Sequence, residues 1–178
     1  MQKREVLSLV RPMKKEEFEA VYALMEQSFP TAEYRRKEEQ AKLTRRECYQ
    51  LWCYESQGRI QGFAAVWAVN DFWFVEHLAV APAMRGQGVG GQLLDALLEK
   101  SPGKLCLEVE LPDTPIARRR IGFYSRHGLC LNHYAYAQPS ISAGKPQVPL
   151  MVMSYPRPMT QEEFLQAKNA LYSVVYSV

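Results

Sequence analysis

Apolar positions recur along the chain with two distinct periods, two and about 3.6, and the switches between them mark out strands and helices. Val6 to Val10 reads as a first strand, and Phe18, Val21, Tyr22 and Met25 then recur at helical spacing in a segment ending near Ser28-Phe29-Pro30. A charged stretch, Glu33 to Lys42, predicts a second, exposed helix with few large apolar residues to anchor it, and so one with freedom to move. Cys48 to Glu55 and Ile60 to Val69 are rich in β-branched and aromatic residues and are joined across Ser56-Gln57-Gly58-Arg59, which carries hairpin turn chemistry. Asn70-Asp71 then turns into Phe72 to Val80, where both alternation sets are largely apolar, as in a central strand covered on both faces. Glu76 and His77 interrupt it.

Val89, Leu93, Leu94, Leu97 and Leu98 form one face of a helix closed by Ser101-Pro102-Gly103, and the strand Lys104 to Glu110 follows. Thr114-Pro115 supplies an N-cap and first-turn residue for a helix to about His127, with Gly128 free to take the left-handed exit. Leu129 to Ala137 resumes strand; Pro139 to Pro149 is a loop, and Val148 to Ser154 is the last strand. Thr160-Gln161-Glu162-Glu163 is a capping box opening a terminal helix with Phe164, Ala167, Leu171, Val174 and Val175 on one face. This order predicts a mixed α/β sheet that passes from antiparallel hairpins to a parallel crossover around residues 72 to 110, with no internal repeat and no interdomain linker.

Composition narrows the functional classes. A length of 178 residues suits one domain, and no window approaches the roughly 18 apolar residues of a membrane span. The net charge of +3 is too mild to argue for nucleic acid, and the run Arg118-Arg119-Arg120 spreads around its helix as a solvated face. Cys48, Cys53, Cys106 and Cys130 lie in predicted strands without zinc-ligand spacing, so reduced thiols in a cytoplasmic protein with no metal are expected.

The densest chemical signal is Arg85-Gly86-Gln87-Gly88-Val89-Gly90-Gly91, between the central strand and the clearest helix. Each glycine in a helical position costs about 1 kcal/mol relative to alanine, so the cluster must serve another requirement. Close approach of backbone N–H groups to a phosphate, at the positive end of a helix dipole, supplies one. No Lys-Ser or Lys-Thr follows, and the spacing is not G-x-G-x-x-G, which disfavours a triphosphate P-loop and a dinucleotide fold.

Arg85-x-x-Gly88-x-Gly90, preceded by Leu78-Ala79-Val80-Ala81-Pro82, resembles the acetyl-CoA signature of the GNAT acetyltransferases. The resemblance implies a GNAT-type, mostly antiparallel sheet of six to seven strands flanked by helices, with a central parallel β-α-β crossover. One domain over 1–178 would divide into N-terminal strands and acceptor-side helices (1–70), an acetyl-CoA-binding core (71–130) and C-terminal strands and helix (131–178). It also implies that the backbone of Leu78, Ala79 and Val80 pairs with the pantetheine arm and polarises the thioester carbonyl. Amides from Arg85, Gly86, Gln87, Gly88, Val89, Gly90 and Gly91 would hold the pyrophosphate.

Ile121-Gly122-Phe123-Tyr124, followed by Gly128-Leu129, resembles the family's L-Y-x-x-x-G-F element, which assigns Tyr124 as the acid that protonates the departing thiolate. An asparagine common seven residues earlier in the family is Ala117 here. For the proton of the acceptor ammonium, Glu76 is the first candidate: it shares strand parity with Leu78 and Val80, and burial in an apolar strand is expected to raise its pKa. A structural carboxylate is its bland reading, Glu108 and Glu110 are further candidates, and His77 reads as a satisfied core histidine. Tyr34, Tyr134, Tyr136 and Gln138 are acceptor-side candidates.

The expected function is acetyl transfer from acetyl-CoA to an amine of a small molecule or peptide, directly within a ternary complex, by a monomer or homodimer without membrane or nucleic-acid partners. The other class open to the sequence is a non-catalytic acyl-CoA-binding module. Nothing in the residues names the acceptor.

Overall fold

Alternating apolar residues with β-branched and aromatic character set seven strands, and amphipathic stretches set five helices, in a computed structural model that describes residues 9–177. The strands are β1 (Val10–Pro12), β2 (Tyr49–Ser56), β3 (Arg59–Val69), β4 (Phe72–Val80), β5 (Leu105–Glu110), β6 (Cys130–Gln138) and β7 (Val148–Tyr155). The helices are α1 (Phe18–Ser28), α2 (Lys37–Leu43), α3 (Val89–Lys100), α4 (Pro115–Arg126) and α5 (Gln161–Leu171), which continues as a π-turn, Tyr172–Tyr176. Strand order is β1-β2-β3-β4-β5-β7-β6, mostly antiparallel with one parallel pair: the mixed sheet that the hydrophobic pattern predicts and the mostly antiparallel one that the resemblance implies.

Most predicted boundaries fall within a residue or two of these elements, and the departures have physical causes. Val6, Leu7 and Ser8 of the predicted first strand lie outside the described residues; its end, Val10, opens β1. Cys48 sits just ahead of β2 rather than in it. The helix predicted over 33–42 begins only at Lys37, because Thr31–Glu33 makes a separate tight turn and Tyr34 and Arg36 are extended. The reason is burial: Tyr34 and Arg35 are drawn inward. The exposed helix that follows is anchored by a polar residue, Gln40, which is fully buried and donates to the Tyr49 hydroxyl.

The chain divides into two compact units that interleave in sequence. One takes the chain through Trp67 and then Val75–Lys100; the other takes Ala68–Phe74 and the chain from Ser101 onward. In the first, β2 and β3 pair antiparallel across a turn in which Gln57 and Gly58 both have positive φ (54° and 70°), the geometry that matches strand twist. Its core holds Val21, Met25, Phe63, Trp67, Leu93, Leu94 and Leu97. In the second, β7 is central between β5 and β6, and Leu105, Leu107, Met153 and Leu171 are fully buried.

β1 is an edge strand of three residues, paired with β2 and anchored by buried Val10 and by charge at Arg11. Arg11 donates through Nη1 to Glu17 Oε2 (2.9 Å), through Nη2 to Glu17 Oε1 (2.6 Å) and through Nε to Glu55 Oε2 (2.8 Å). The Arg11 hydrogen bonds hold the Glu17 carboxyl down at about 2, against an ordinary 4.5. A carboxyl whose folded pKa is depressed stabilises the fold above its unfolded pKa and loses that contribution as pH falls through the folded value. Glu17→Gln is therefore expected to cost about 1 kcal/mol near neutral pH, with the full shift discounted for solvent screening. The gap from the unsubstituted protein should close between pH 4.5 and about 2 in urea unfolding.

Candidate active site

The chain leaves β4 at Val80 and reaches α3 through two tight turns, in which Met84 N–H donates to Ala81 O (2.8 Å) and Arg85 N–H to Pro82 O (3.3 Å). Gly86 (φ 77°) and Gly88 (φ 81°) then take left-handed backbone conformations, which residues with a Cβ adopt at a cost of roughly 1–2 kcal/mol. Gln92 N–H donates to Gly88 O (3.0 Å), so Gly88 closes the first turn of α3, and the N–H groups just ahead of Gln92 stand at a helix start where the intrahelical ladder supplies no acceptor. The segment from Arg85 to Gly88 is exposed, a Cβ at Gly86 would meet nothing within 4 Å, and one at Gly88 would meet only the Gln92 side chain, at 3.7 Å. Local space therefore does not explain these two glycines; their backbone conformation does.

A third glycine lies beneath the start of α3, in β3. At Gly62 of β3 a Cβ would lie 3.0 Å from Ala79 O, 3.5 Å from Val89 Cγ1 and 3.7 Å from Leu93 Cδ2. The tight contact is with the Ala79 carbonyl of β4, while Val89 and Leu93 of α3 stand at ordinary van der Waals distance, so the missing side chain relieves the approach of the two strands. Beside it Ala81 N–H donates to Gln61 O (2.8 Å), and the Arg85 Nε–H reaches Val80 O (3.4 Å).

Along β4 the parity is as predicted: Glu76, Leu78 and Val80 are half-buried on one face, while Val75, His77 and Ala79 are buried on the other. The Glu76 side chain itself is 2% exposed. Its Oε1 accepts from Arg35 Nη1 at 2.6 Å and its Oε2 from the Trp67 indole N–H at 2.9 Å. The Arg35 guanidinium also lies over the Trp67 ring, 5.6 Å from its centroid.

The expectation that burial raises the Glu76 pKa is overturned. Burial does push it up, but the Arg35 charge, with His77 and the Trp67 and Arg35 hydrogen bonds, carries it below the ordinary carboxylate range. Glu76 is a charged, bonded carboxylate. His77 is a buried core histidine, as expected: it shares a 2.7 Å hydrogen bond through Nε2 with Glu33 O and packs against Phe29, while its Nδ1 lies 3.8 Å from Glu76 Oε2 and makes no hydrogen bond among the described residues.

In the second unit, Thr114 caps α4 by accepting from the Ala117 N–H (3.1 Å), and Tyr124 is buried near the helix end. Burial pushes the Tyr124 hydroxyl up to about 12. Arg118 donates to Pro112 O (2.8 Å) and Arg120 to Glu110 (2.6 Å), so these arginines have local tasks.

The acceptor-side candidates are divided between the two units. Tyr34 belongs to the first unit, edge-on to Tyr22 at 6.2 Å. Tyr134 and Tyr136 belong to the second and line a cleft of about 330 Å³ with Leu111, His133, Ala135, Leu150 and Met151, opened where β6 bulges between Asn132 and Tyr136. Tyr134 donates to Met159 O (3.3 Å), Tyr136 donates to Glu108, and Gln138 is buried at the end of β6.

A family model described as the acetyltransferase (GNAT) family matches residues 15–129. The chain belongs to the GNAT family. It is 30% identical over 111 residues to YjbC of Bacillus subtilis, a protein named as an acetyltransferase; the match covers 61% of this chain and 57% of YjbC, so the chain spans little over half of that relative. A GNAT-family structure from Bacteroides thetaiotaomicron superposes with a TM-score of 0.88 at 30% identity, covering 95% of this chain and 98% of the other. A GNAT acetyltransferase from Elizabethkingia anophelis with acetyl-CoA bound has the same fold, with a TM-score of 0.58 at 16% identity over 82% of this chain and 95% of that one.

Arg35 is the residue of this site that sequence reasoning missed. It lies 41 positions from its partner Glu76, inside a charged run that reads as an exposed helix, and no local signal distinguishes it. Because Arg35→Met strands the Glu76 charge in the core, it is expected to destabilise the protein by about 3–5 kcal/mol. Arg35→Met with Glu76→Leu should recover most of that loss. Urea unfolding of the two single variants and the double variant gives the coupling, and additive losses would contradict a buried pair.

Proposed function

We propose that this GNAT domain transfers the acetyl group of acetyl-CoA to an amine of a small molecule or peptide by direct attack in a ternary complex. The single observation that carries the reading is the start of α3, where Gly86 and Gly88 hold left-handed conformations in an exposed turn leading to N–H groups that the ladder leaves open. Amides from Arg85 to Gly91 would grip the pyrophosphate, and the Leu78–Val80 backbone would bind the pantetheine arm. Free thiols at Cys48, Cys53, Cys106 and Cys130 fit work in a reducing cytoplasm.

In the reaction the amine nitrogen bonds to the thioester carbon, the C–S bond breaks, the ammonium proton passes to a carboxylate and the thiolate takes one from Tyr124. A hydroxyl pushed up to about 12 keeps its proton across the neutral range, the state a donor needs. Glu76, the first candidate for proton acceptor, is spoken against by its buried ion pair with Arg35, whose charge carries it below the ordinary carboxylate range. We therefore assign the role to Glu108, which is half-buried and hydrogen-bonded to Tyr136, a residue lining the 330 Å³ cleft.

Two experiments test this. Gly88→Glu should weaken acetyl-CoA binding in calorimetry at least tenfold while lowering Tm by only about 5 °C, the cost of one strained residue. Undiminished affinity would remove the cofactor site from this turn. With labelled acetyl-CoA and a panel of amines and peptide N-termini, Tyr124→Phe and Glu108→Gln should each lower kcat about 100-fold with acetyl-CoA affinity retained. A rate lost in Glu76→Gln but kept in Glu108→Gln would return the proton acceptor to Glu76. Tight acetyl-CoA binding without turnover of any acceptor would favour a non-catalytic acyl-CoA module.

A further inference from the structure

In the second unit the Glu108 carboxylate is bonded by tyrosines from two different elements. Tyr136 of β6 donates to Oε1, and the Tyr176 hydroxyl, in the π-turn after α5, lies 2.9 Å from Oε1 and 2.8 Å from Oε2. Register explains the first contact. Glu108 is paired with Val152 and Tyr136 with Leu150, so both side chains stand on the same face, on either side of β7 and two positions apart along it. The turn explains the second, because Leu171 and Val175 are buried and fix its rotation, leaving Tyr176, itself 7% exposed, over the carboxylate.

We propose that Tyr176 is a positioning residue: together with Tyr136 it fixes the Glu108 carboxylate, so that the readiness of this group to take a proton depends on the seating of the turn that follows α5. The proposal rests on Glu108 being the proton acceptor assigned above. Hydrogen bonds donated to an ionised carboxylate favour that form, and phenol donors hold the oxygens at a set angle. Tyr136 stays a donor, because burial and then the adjacent Glu108 charge push its hydroxyl well above the ordinary value. The other titratable groups near Glu108 in this unit have distinct tasks. Cys106, on the same face of β5, is buried with its thiol pushed up; Glu110 pairs with Arg120; and the Tyr172 hydroxyl donates to the Ala137 carbonyl.

Tyr172 supplies the control. It belongs to the same turn and makes a hydrogen bond of its own, but to backbone. Carboxyl-¹³C-glutamate NMR of the full chain from pH 3 to 9, with the Glu108 signal identified by its loss in Glu108→Gln, reads the carboxylate without any acceptor. Tyr176→Phe is expected to move the Glu108 midpoint upward by about one pH unit, the effect of one charge-assisted hydrogen bond. Tyr172→Phe should leave the midpoint in place. Equal displacement in the two variants, or none in Tyr176→Phe, overturns the proposal. Calorimetry with acetyl-CoA on the same samples keeps the two readings apart, since failure of the unsubstituted protein to bind defeats the cofactor assignment and leaves the midpoints to judge the tyrosines.

Discussion

A charge placed inside an apolar strand has to be met by an opposite charge, and in this chain that demand organises the first unit. Glu76 in β4 draws in Arg35, and to deliver it the backbone from Thr31 to Arg36 gives up a continuous helix for a tight turn and an extended stretch. Trp67 of β3 is fixed by the same carboxylate through its indole N–H, and Tyr49 of β2 packs edge-on to it at 4.8 Å, with its hydroxyl taken by Gln40. One ionised group thus specifies the positions of a loop, two strands and a short helix. Buried ion pairs of this kind add little net stability, because desolvation offsets the attraction. Their effect is on which arrangement is reached.

Strands and long helices were legible because their hydrophobic periods are local, and so was a special turn at the glycine cluster, though not the left-handed conformations of Gly86 and Gly88 ahead of the helix. The capping box at Thr160 and the N-cap at Thr114 were legible because their signals are local too. Partners across long sequence separations were not. Nothing near Arg35 says that it is buried, and nothing near Tyr176 says that its hydroxyl meets a carboxylate 68 positions away. For Glu76 the error lay in sign. Burial alone argues for a raised pKa, but a nearby guanidinium reverses the outcome, and the sequence cannot show the guanidinium.

The turn into α3 illustrates how a locally unfavourable choice is accommodated. Left-handed conformations at Gly86 and Gly88 forgo helix propensity, and the cost is offset by Val89, Leu93, Leu94 and Leu97, which are buried immediately after it. Rigidity is supplied by the helix body, so its first turn is free to be shaped for a ligand.

The interleaving of the two units bears on how the chain is made. Phe72 and Phe74, both largely buried, sit in a segment whose compact unit is otherwise built from Ser101 onward. During synthesis these rings emerge from the ribosome ahead of β5, α4 and β7, the elements that complete their unit. A fragment ending at Lys100 would hold both phenylalanines without the rest of that unit, so Lys100 is a poor place to cut.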